Sequence, residues 1–342
     1  MEEIFPGLFR IIVPLPGNPL KEINSYVFTS NERNLVVDTG MNRPACKQVL
    51  EPALAELGVD LAKTDFFITH LHADHQGMVA GLLREGSRAY MGEEDASRLK
   101  AGTTAHARKT PMGDYAAKSG FPDEELKWAL VNHPGFKYGP ESVVDYLYAA
   151  EGDVFRVGDY TLEVVATPGH TLGHLCLYEP EKKFFLSGDH VLGDITPNIQ
   201  GMSDDVDPLD LYLKSLKKVM DMEVALCLPG HRSFITDFKK RVLELIEHHR
   251  IRANEVLSIL EDRWQTAYET ASQMTWDIVA KSWDDFPVMQ KWFATAEAVS
   301  HLIYLENLGL IKREVRNGLI YFTAEGKKRL ERDPALPSLT RH

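Results

Sequence analysis

Cysteine is scarce in this chain of 342 residues, which holds only Cys46, Cys176 and Cys227. Three is an odd number, and the spacing suits neither a disulfide framework nor a cysteine zinc site, so a reducing compartment is expected. Long hydrophobic runs are also missing: none approaches the roughly 20 residues that span a bilayer. The opening Met1-Glu2-Glu3-Ile4-Phe5-Pro6 lacks the basic flank and apolar core of a signal peptide. A cytoplasmic protein with no membrane partner is therefore expected. Positive charge is in deficit, with 38 Lys and Arg against 50 Asp and Glu, a formal net charge of −12. That balance disfavours indiscriminate binding to nucleic acid or anionic lipid. No internal repeat and no low-complexity segment interrupts the chain. What remains is a globular composition, 44% hydrophobic, able to bury a full core. Its length predicts about two domains at roughly 150 residues each.

Histidine is concentrated where other residues are not. In Thr69-His70-Leu71-His72-Ala73-Asp74-His75-Gln76-Gly77, three imidazoles and a carboxylate fall within six positions. The apolar Phe66-Phe67-Ile68-Thr69 just before it reads as a buried strand, and Gly77 to Leu83 reads as the first turns of a helix. The cluster thus stands at the carboxyl end of a strand, where α/β proteins place their sites. His70 and His72, two apart, point the same way in extended backbone, whereas Asp74 and His75 turn toward a second position. Neutral imidazole and carboxylate are both zinc ligands.

Around this cluster the pattern is mixed α and β. Strands are expected at Phe9–Val13, Ser25–Phe28 and Leu35–Asp38, and a helix from Arg43 to Gly58. From about 93 to 148 the pattern loosens into short helical pieces, one of them Asp123–Val131. This reads as an insertion near the site and a candidate lid. Strands resume at Asp153–Phe155 and Leu162–Ala166 around a Gly158-Asp159 turn, then at Leu175–Tyr178 and Phe184–Ser187. Leu209–Met220 is an amphipathic helix and Val224–Leu228 a buried strand. A long charged helical pattern runs from Asp237 to about Ser272, and the domain boundary is placed within it, giving domains 1–247 and 248–342. The tail has a helix, Ala294–Leu308, and then two alternating runs around Asn317-Gly318, a strong hairpin signal. Helix, glycine and hairpin resemble a winged-helix module.

Three further strand ends carry similar chemistry: Pro168-Gly169-His170, Ser187-Gly188-Asp189 and Pro229-Gly230-His231. Each pairs a glycine, which allows close backbone approach, with a metal-binding side chain. In this order after His-x-His-x-Asp-His, they make the chain resemble the metallo-β-lactamase superfamily over about residues 5 to 235. The resemblance implies an α/β fold, a four-layer αβ/βα sandwich of two mixed sheets, here with a small C-terminal helical or winged-helix domain. It implies that His70, His72 and His170 hold one divalent metal ion. Asp74, His75 and His231 would hold a second, with Asp189 bridging the two. Asp38, in Val37-Asp38-Thr39-Gly40, matches a motif that buttresses the site without being a ligand. The N/O donor set suits zinc, and iron or manganese as well. Asp rather than Cys at position 189 points away from antibiotic degradation, toward hydrolases such as glyoxalase II, lactonases and RNA-processing nucleases.

The chemistry so implied is hydrolysis by a hydroxide shared between two cations, with Asp74 also orienting the nucleophile or moving its proton. Of the remaining histidines, His190 is read as supporting the site, His174 as capping or packing the strand it begins, His106 and His133 as solvent-facing, and His248-His249 as a helix face in water. Tyr212 is read as core or rim packing. Two substrates remain open at this point. One is a small ester, thioester or lactone beneath the insertion. The other is RNA, cut by an endoribonuclease whose winged helix guides it through Lys312-Arg313, Arg316 and Lys327-Lys328-Arg329. Glutamates interleave those cations, which favours a solvated face or a homodimer contact. A DNA-binding regulator without turnover is a third reading, and it needs less than a complete hydrolytic ligand set.

Overall fold

The computed structural model describes residues 1–102, 111–334 and 336; His106 lies outside them. The chain divides into two compact units. One comprises Met1–Thr104, Pro134–Pro197 and Lys218–Arg241, the other Ala105–His133, Asn198–Lys217 and Val242–His342.

The first unit is built on two sheets. Strands β1 (Glu2–Phe5), β2 (Leu8–Pro14), β3 (Glu22–Phe28), β4 (Asn34–Val37), β5 (Thr64–Phe67), β6 (Arg88–Gly92) and β7 (Leu147–Ala149) lie side by side in that order. The pairing is antiparallel through β4 and parallel from β4 to β7. Strands β8 (Val154–Val157), β9 (Tyr160–Ala166), β10 (Leu175–Glu179), β11 (Phe184–Gly188) and β12 (Leu226–Pro229) form the second sheet, with β11 and β12 parallel. Period-two alternation sorts the side chains. Tyr26, Phe28, Leu35, Val37 and Phe67 face the second sheet and meet Leu162, Val164, Leu177, Phe184 and Leu186. Their chain neighbours Val27, Val36 and Phe66 point the other way, onto helices. Those helices are α1 (Pro44–Glu56), the single turns α2 (Ala73–Gln76) and α3 (Val79–Leu82), and α4 (Glu93–Gly102), which contribute Cys46, Leu50, Leu54, Val79, Leu82 and Ala96. All three cysteines are buried and free.

The second unit is mainly helical. It contains α5 (Pro111–Lys118) and α6 (Asp123–Asn132), whereas the short α7 (Pro134–Lys137) belongs to the first unit. Helices α8 (Pro208–Val219) and α9 (Phe238–Ile259) lie mostly in the second unit, followed by α10 (Ala267–Ala271) and α11 (Val288–Asn307). Val256, Leu260, Ala267, Val299, Leu302 and Leu305 form its core, together with Ile320 and Phe322 of the final hairpin. That hairpin pairs β13 (Lys312–Arg316) with β14 (Leu319–Thr323). Asn317 and Gly318 both take positive φ, 50° and 82°, as a type I′ turn requires.

The expected helix from 237 to 272 ends at Ile259. The chain turns at Asp262 (φ 53°) and restarts at α10, where Thr266 and Glu269 form a complete capping box. Strands β1, β6 and β7 were not expected. The last two flank or lie within the stretch read as an insertion, and β7 is too short to show alternation. No helix among the described residues is long and apolar enough to cross a membrane.

Candidate metal centre

Every segment that carries a candidate ligand begins just past the carboxyl end of a strand. His70 follows β5, His170 follows β9, Asp189 follows β11 and His231 follows β12. The two sheets thus deliver ligand-type groups to one place. Three sets have donor atoms mutually within 4.8 Å: His70, His72 and His170; His70, His75 and Asp189; and Asp74, His75 and His231. All seven positions are therefore brought together.

In the first set, His72 Nδ1 lies 3.0 Å from both His70 Nε2 and His170 Nε2. Two nitrogens on one tetrahedral zinc stand roughly 3.3 Å apart, given bonds of about 2.0–2.1 Å. A proton on His72 could satisfy only one of its two neighbours, so lone pairs are left facing each other. A shared cation removes that conflict. In the third set, His231 Nε2 is 3.5 Å from Asp74 Oδ2, and it also lies 3.5 Å from Asp189 Oδ1. Asp189 Oδ1 is also 3.5 Å from His75 Nε2, while its Oδ2 lies 3.6 Å from His170 Nε2. Asp189 thus turns one oxygen toward each set. His75 Nε2, His231 Nε2 and Asp189 Oδ1 are fully buried without a hydrogen-bond partner. Orphaned buried atoms are costly, and their convergence fits a metal.

The opposite edges of the rings are fixed. Asp38 accepts hydrogen bonds from Thr69 N–H at 2.9 Å, from Thr69 Oγ1–H at 2.8 Å and from His75 Nδ1–H at 2.8 Å. The Thr69 hydroxyl, having donated, accepts from His70 Nδ1–H at 3.1 Å. His231 Nδ1–H donates to the Glu22 carbonyl at 2.5 Å. These bonds set the tautomers so that Nε2 of His70, His75 and His231 presents a lone pair inward. Asp38 itself is in the left-handed region, φ 58°, which Asp tolerates better than most residues. Gly230 is confined for another reason: a Cβ there would lie 2.7 Å from Asp189 Oδ1.

Charge follows the same division. Burial, with help from neighbouring imidazoles, holds His70 well below the ordinary histidine range and His72 down to about 3. Burial also opposes charge on His75 and His231, but Asp38, Asp74 and Asp189 outweigh it and raise both. Burial pushes Asp74 up; its His231 and His75 neighbours overcome that and bring it down to about 2. Asp189 is held well below the carboxylate range against its own burial by His231 and His75. The pocket's carboxylates thus favour cations.

Other histidines lie where the sequence suggested, or do not. His174 is buried between Thr167 Oγ1, 2.8 Å from its Nδ1, and the Asp189 N–H, which donates to its Nε2 at 3.2 Å. It therefore does more than pack its strand: it steadies Asp189. His190 is buried. His133 is half-buried rather than exposed, and burial lowers it to about 4. His249, expected to face water, is buried against the rings of Tyr212 and His301. Asp95, which no motif flagged, is buried and accepts bonds from both ligand loops. Its only sequence signal was a place in the acidic first turn of α4, which helix termini favour anyway.

Two face-to-face mixed sheets with His and Asp ligands at their strand ends define a metal-dependent hydrolase. The chain belongs to the metallo-beta-lactamase superfamily, whose family model matches residues 19–231. It is similar to lactamase-like protein aptB of Emericella nidulans, 27% identical over 261 residues, 74% of this chain and 66% of that protein. It is also similar to an atrochrysone carboxyl ACP thioesterase of Aspergillus fumigatus, 25% identical over 257 residues, 74% of this chain and 65% of that one. The chain thus spans about two thirds of the length of these curated relatives. Among solved structures, a metallo-beta-lactamase family protein of Thermus thermophilus aligns with a TM-score of 0.78 and 27% identity, covering 94% of this chain and 99% of that one. The sandwich fold and the superfamily expected from the sequence are thereby established, and membership with a thioesterase-named relative points to a hydrolase.

Proposed function

We propose that the chain is a dinuclear metal-dependent hydrolase of a small acyl substrate, a thioester, ester or lactone. The observation that carries the metal reading is the convergence of three orphaned buried ligand atoms beside a trio of imidazoles with opposed lone pairs. His70, His72 and His170 would hold one divalent ion and Asp74, His75 and His231 the other, with Asp189 between them. Zinc suits this donor set, as do iron and manganese. A divalent pair held by these residues would supply an activated water near neutral pH and a Lewis acid for the substrate carbonyl. The chain's own part is preorganisation. Thr69 and Asp38 hold the rings of His70 and His75, and Glu22 holds His231. Asp74 remains a carboxylate at neutral pH, with a pKa of about 2. As a carboxylate it would orient the nucleophile by accepting its hydrogen bond.

The thioesterase named among the relatives supports the acyl class. Charge in the tail supports it too: on β13, Lys312 pairs with Glu325, Arg313 with Asp204 and Glu306, and Arg316 with Glu314. Cations already matched to carboxylates are less available to RNA phosphates. The final helix and hairpin form a winged-helix-like element in this reading. Residues 134–148 of the 93–148 stretch form a cover, supported by the Tyr138 carbonyl accepting from Asn42 N–H at 3.0 Å and by Tyr146 reaching Gln76 in the ligand turn at 3.4 Å.

The test is metal analysis together with a panel of acyl thioesters, lactones and phosphodiesters. Two ions per chain with thioester or lactone turnover is the expected result. Turnover confined to phosphodiesters would replace this reading with a nuclease.

A further inference from the structure

We propose that Asp95 is a positioning residue that clamps the two ligand loops together and tunes one metal position without touching the other; this rests on the two-ion reading above. Asp95 sits in the first turn of α4, between Glu93 and Glu94, which face solvent, and Ala96, which joins the core. Its carboxylate is turned inward and only 1% exposed. Oδ2 accepts from Leu71 N–H at 2.9 Å and from Thr171 Oγ1–H at 2.6 Å, and Oδ1 accepts from Gly173 N–H at 2.9 Å. Leu71 lies between His70 and His72 in the chain, and Thr171 follows His170. One carboxylate therefore ties the loop carrying two imidazoles of the trio to the loop carrying the third.

The surrounding backbone is shaped for that carboxylate. A Cβ on Gly173 would lie 2.6 Å from Asp95 N and 2.9 Å from its Cγ. A Cβ on Gly92 would lie 2.1 Å from the Gly173 carbonyl oxygen. The two glycines allow α4 to begin directly against the His170 loop, which brings a short Asp side chain within reach of three donors. Among the described residues, Asp74, His75 and His231 share no hydrogen bond with Asp95; His75 is supported by Asp38 and His231 by the Glu22 carbonyl. The clamp is therefore specific to the His70, His72 and His170 trio.

Asn at position 95 keeps the size but turns an NH2 toward at least one of the three donors. Thr171→Val removes a single arm while preserving shape. The experiment strips the full-length protein with a chelator, then titrates it with cobalt(II) and, in competition with a chromogenic chelator, with zinc. The wild type should load two equivalents. Asp95→Asn should weaken one of them by roughly 10–100-fold, as loss of outer-shell support does elsewhere, and leave the other nearly unchanged. Thr171→Val should weaken the same equivalent by less. Hydrogen exchange in the metal-free protein should speed up over 70–72 and 168–174 in Asp95→Asn, around the Leu71, Thr171 and Gly173 donors. Equal weakening of both equivalents, or of neither, would overturn the proposal, as would unchanged exchange in those two segments. A wild-type chain that takes up fewer than two ions refutes the two-ion reading instead, and the exchange result still decides whether Asp95 clamps the loops. If Asp95→Asn does not fold, Thr171→Val carries both measurements.

Discussion

Replacing Asp38 by Asn gives the sharpest test of how the site is held. The carboxylate is buried and satisfies three donors at 2.8–2.9 Å: two from Thr69 and one from His75. An amide in the same place offers one acceptor oxygen and sets an NH2 against at least one donor that the carboxylate had served. A buried donor left unpaired costs about 1–3 kcal/mol, and a hydrogen bond to a charged group contributes about 1.5–3 kcal/mol. One orphaned donor and two weakened bonds sum to roughly 3 kcal/mol of lost stability on those figures. Function should suffer more than folding. Without its carboxylate partner the His75 ring is free to rotate or change tautomer, which withdraws Nε2 from the second metal position. Zinc affinity there should fall about 10–100-fold. Urea denaturation of the metal-free protein measures the first quantity, and chelator-competed zinc titration the second. An Asp38→Asn protein with wild-type zinc affinity would refute the argument that Asp38 sets the His75 tautomer, whatever its stability.

Two further outcomes are expected. Gly230→Ala drives a methyl to 2.7 Å from Asp189 Oδ1, so Asp189 must shift. Metal content measured after dialysis should drop while far-ultraviolet circular dichroism stays the same, and full retention of both ions would contradict the packing described. In the helical unit, His301 is buried and lowered to about 3, so it folds neutral while the unfolded chain protonates it near pH 6.5. Its folded pKa lies below its unfolded one and the unfolded state binds the extra proton, so its contribution to stability falls as pH drops from about 6.5 toward about 3, by up to ~1.4 kcal/mol per pH unit. Comparing urea midpoints at pH 7 and pH 5, His301→Gln should be less acid-sensitive than wild type; an equal pH dependence would remove His301 from that account.

Much of the site could be read from the chain because its ligands follow strands in short, recognisable junctions. Apolar runs ending in His70, Gly169-His170, Gly188-Asp189 and Gly230-His231 announce both the strand and the group at its tip. The supporting residues were harder to see. Asp38 was legible only through its motif, and His174 looked like a strand-starting polar residue. Asp95 sits in an acidic helix start, where a solvent-facing carboxylate is the ordinary expectation. Its partners are 24 and 76 residues away, a separation that local pattern does not carry. The helix expected from 237 to 272 failed for a related reason. Leu260, Ala267 and Ala271 keep a helix-like apolar rhythm, and no proline marks the break at Asp262. His249 misled because charged neighbours surround it in sequence, yet its own side of α9 faces Tyr212 and His301.

The division of ligands between the two sheets has a mechanical consequence. His70, His72, Asp74 and His75 hang from the seven-stranded sheet; His170, Asp189 and His231 hang from the five-stranded one. An ion gripped from both sides would act as a rivet through the open end of the sandwich. Parting the layers by an ångström or two would release it before any strand lost a rung. Occupancy and closure would then be a single equilibrium, with chelation and mechanical loosening acting on it from opposite ends.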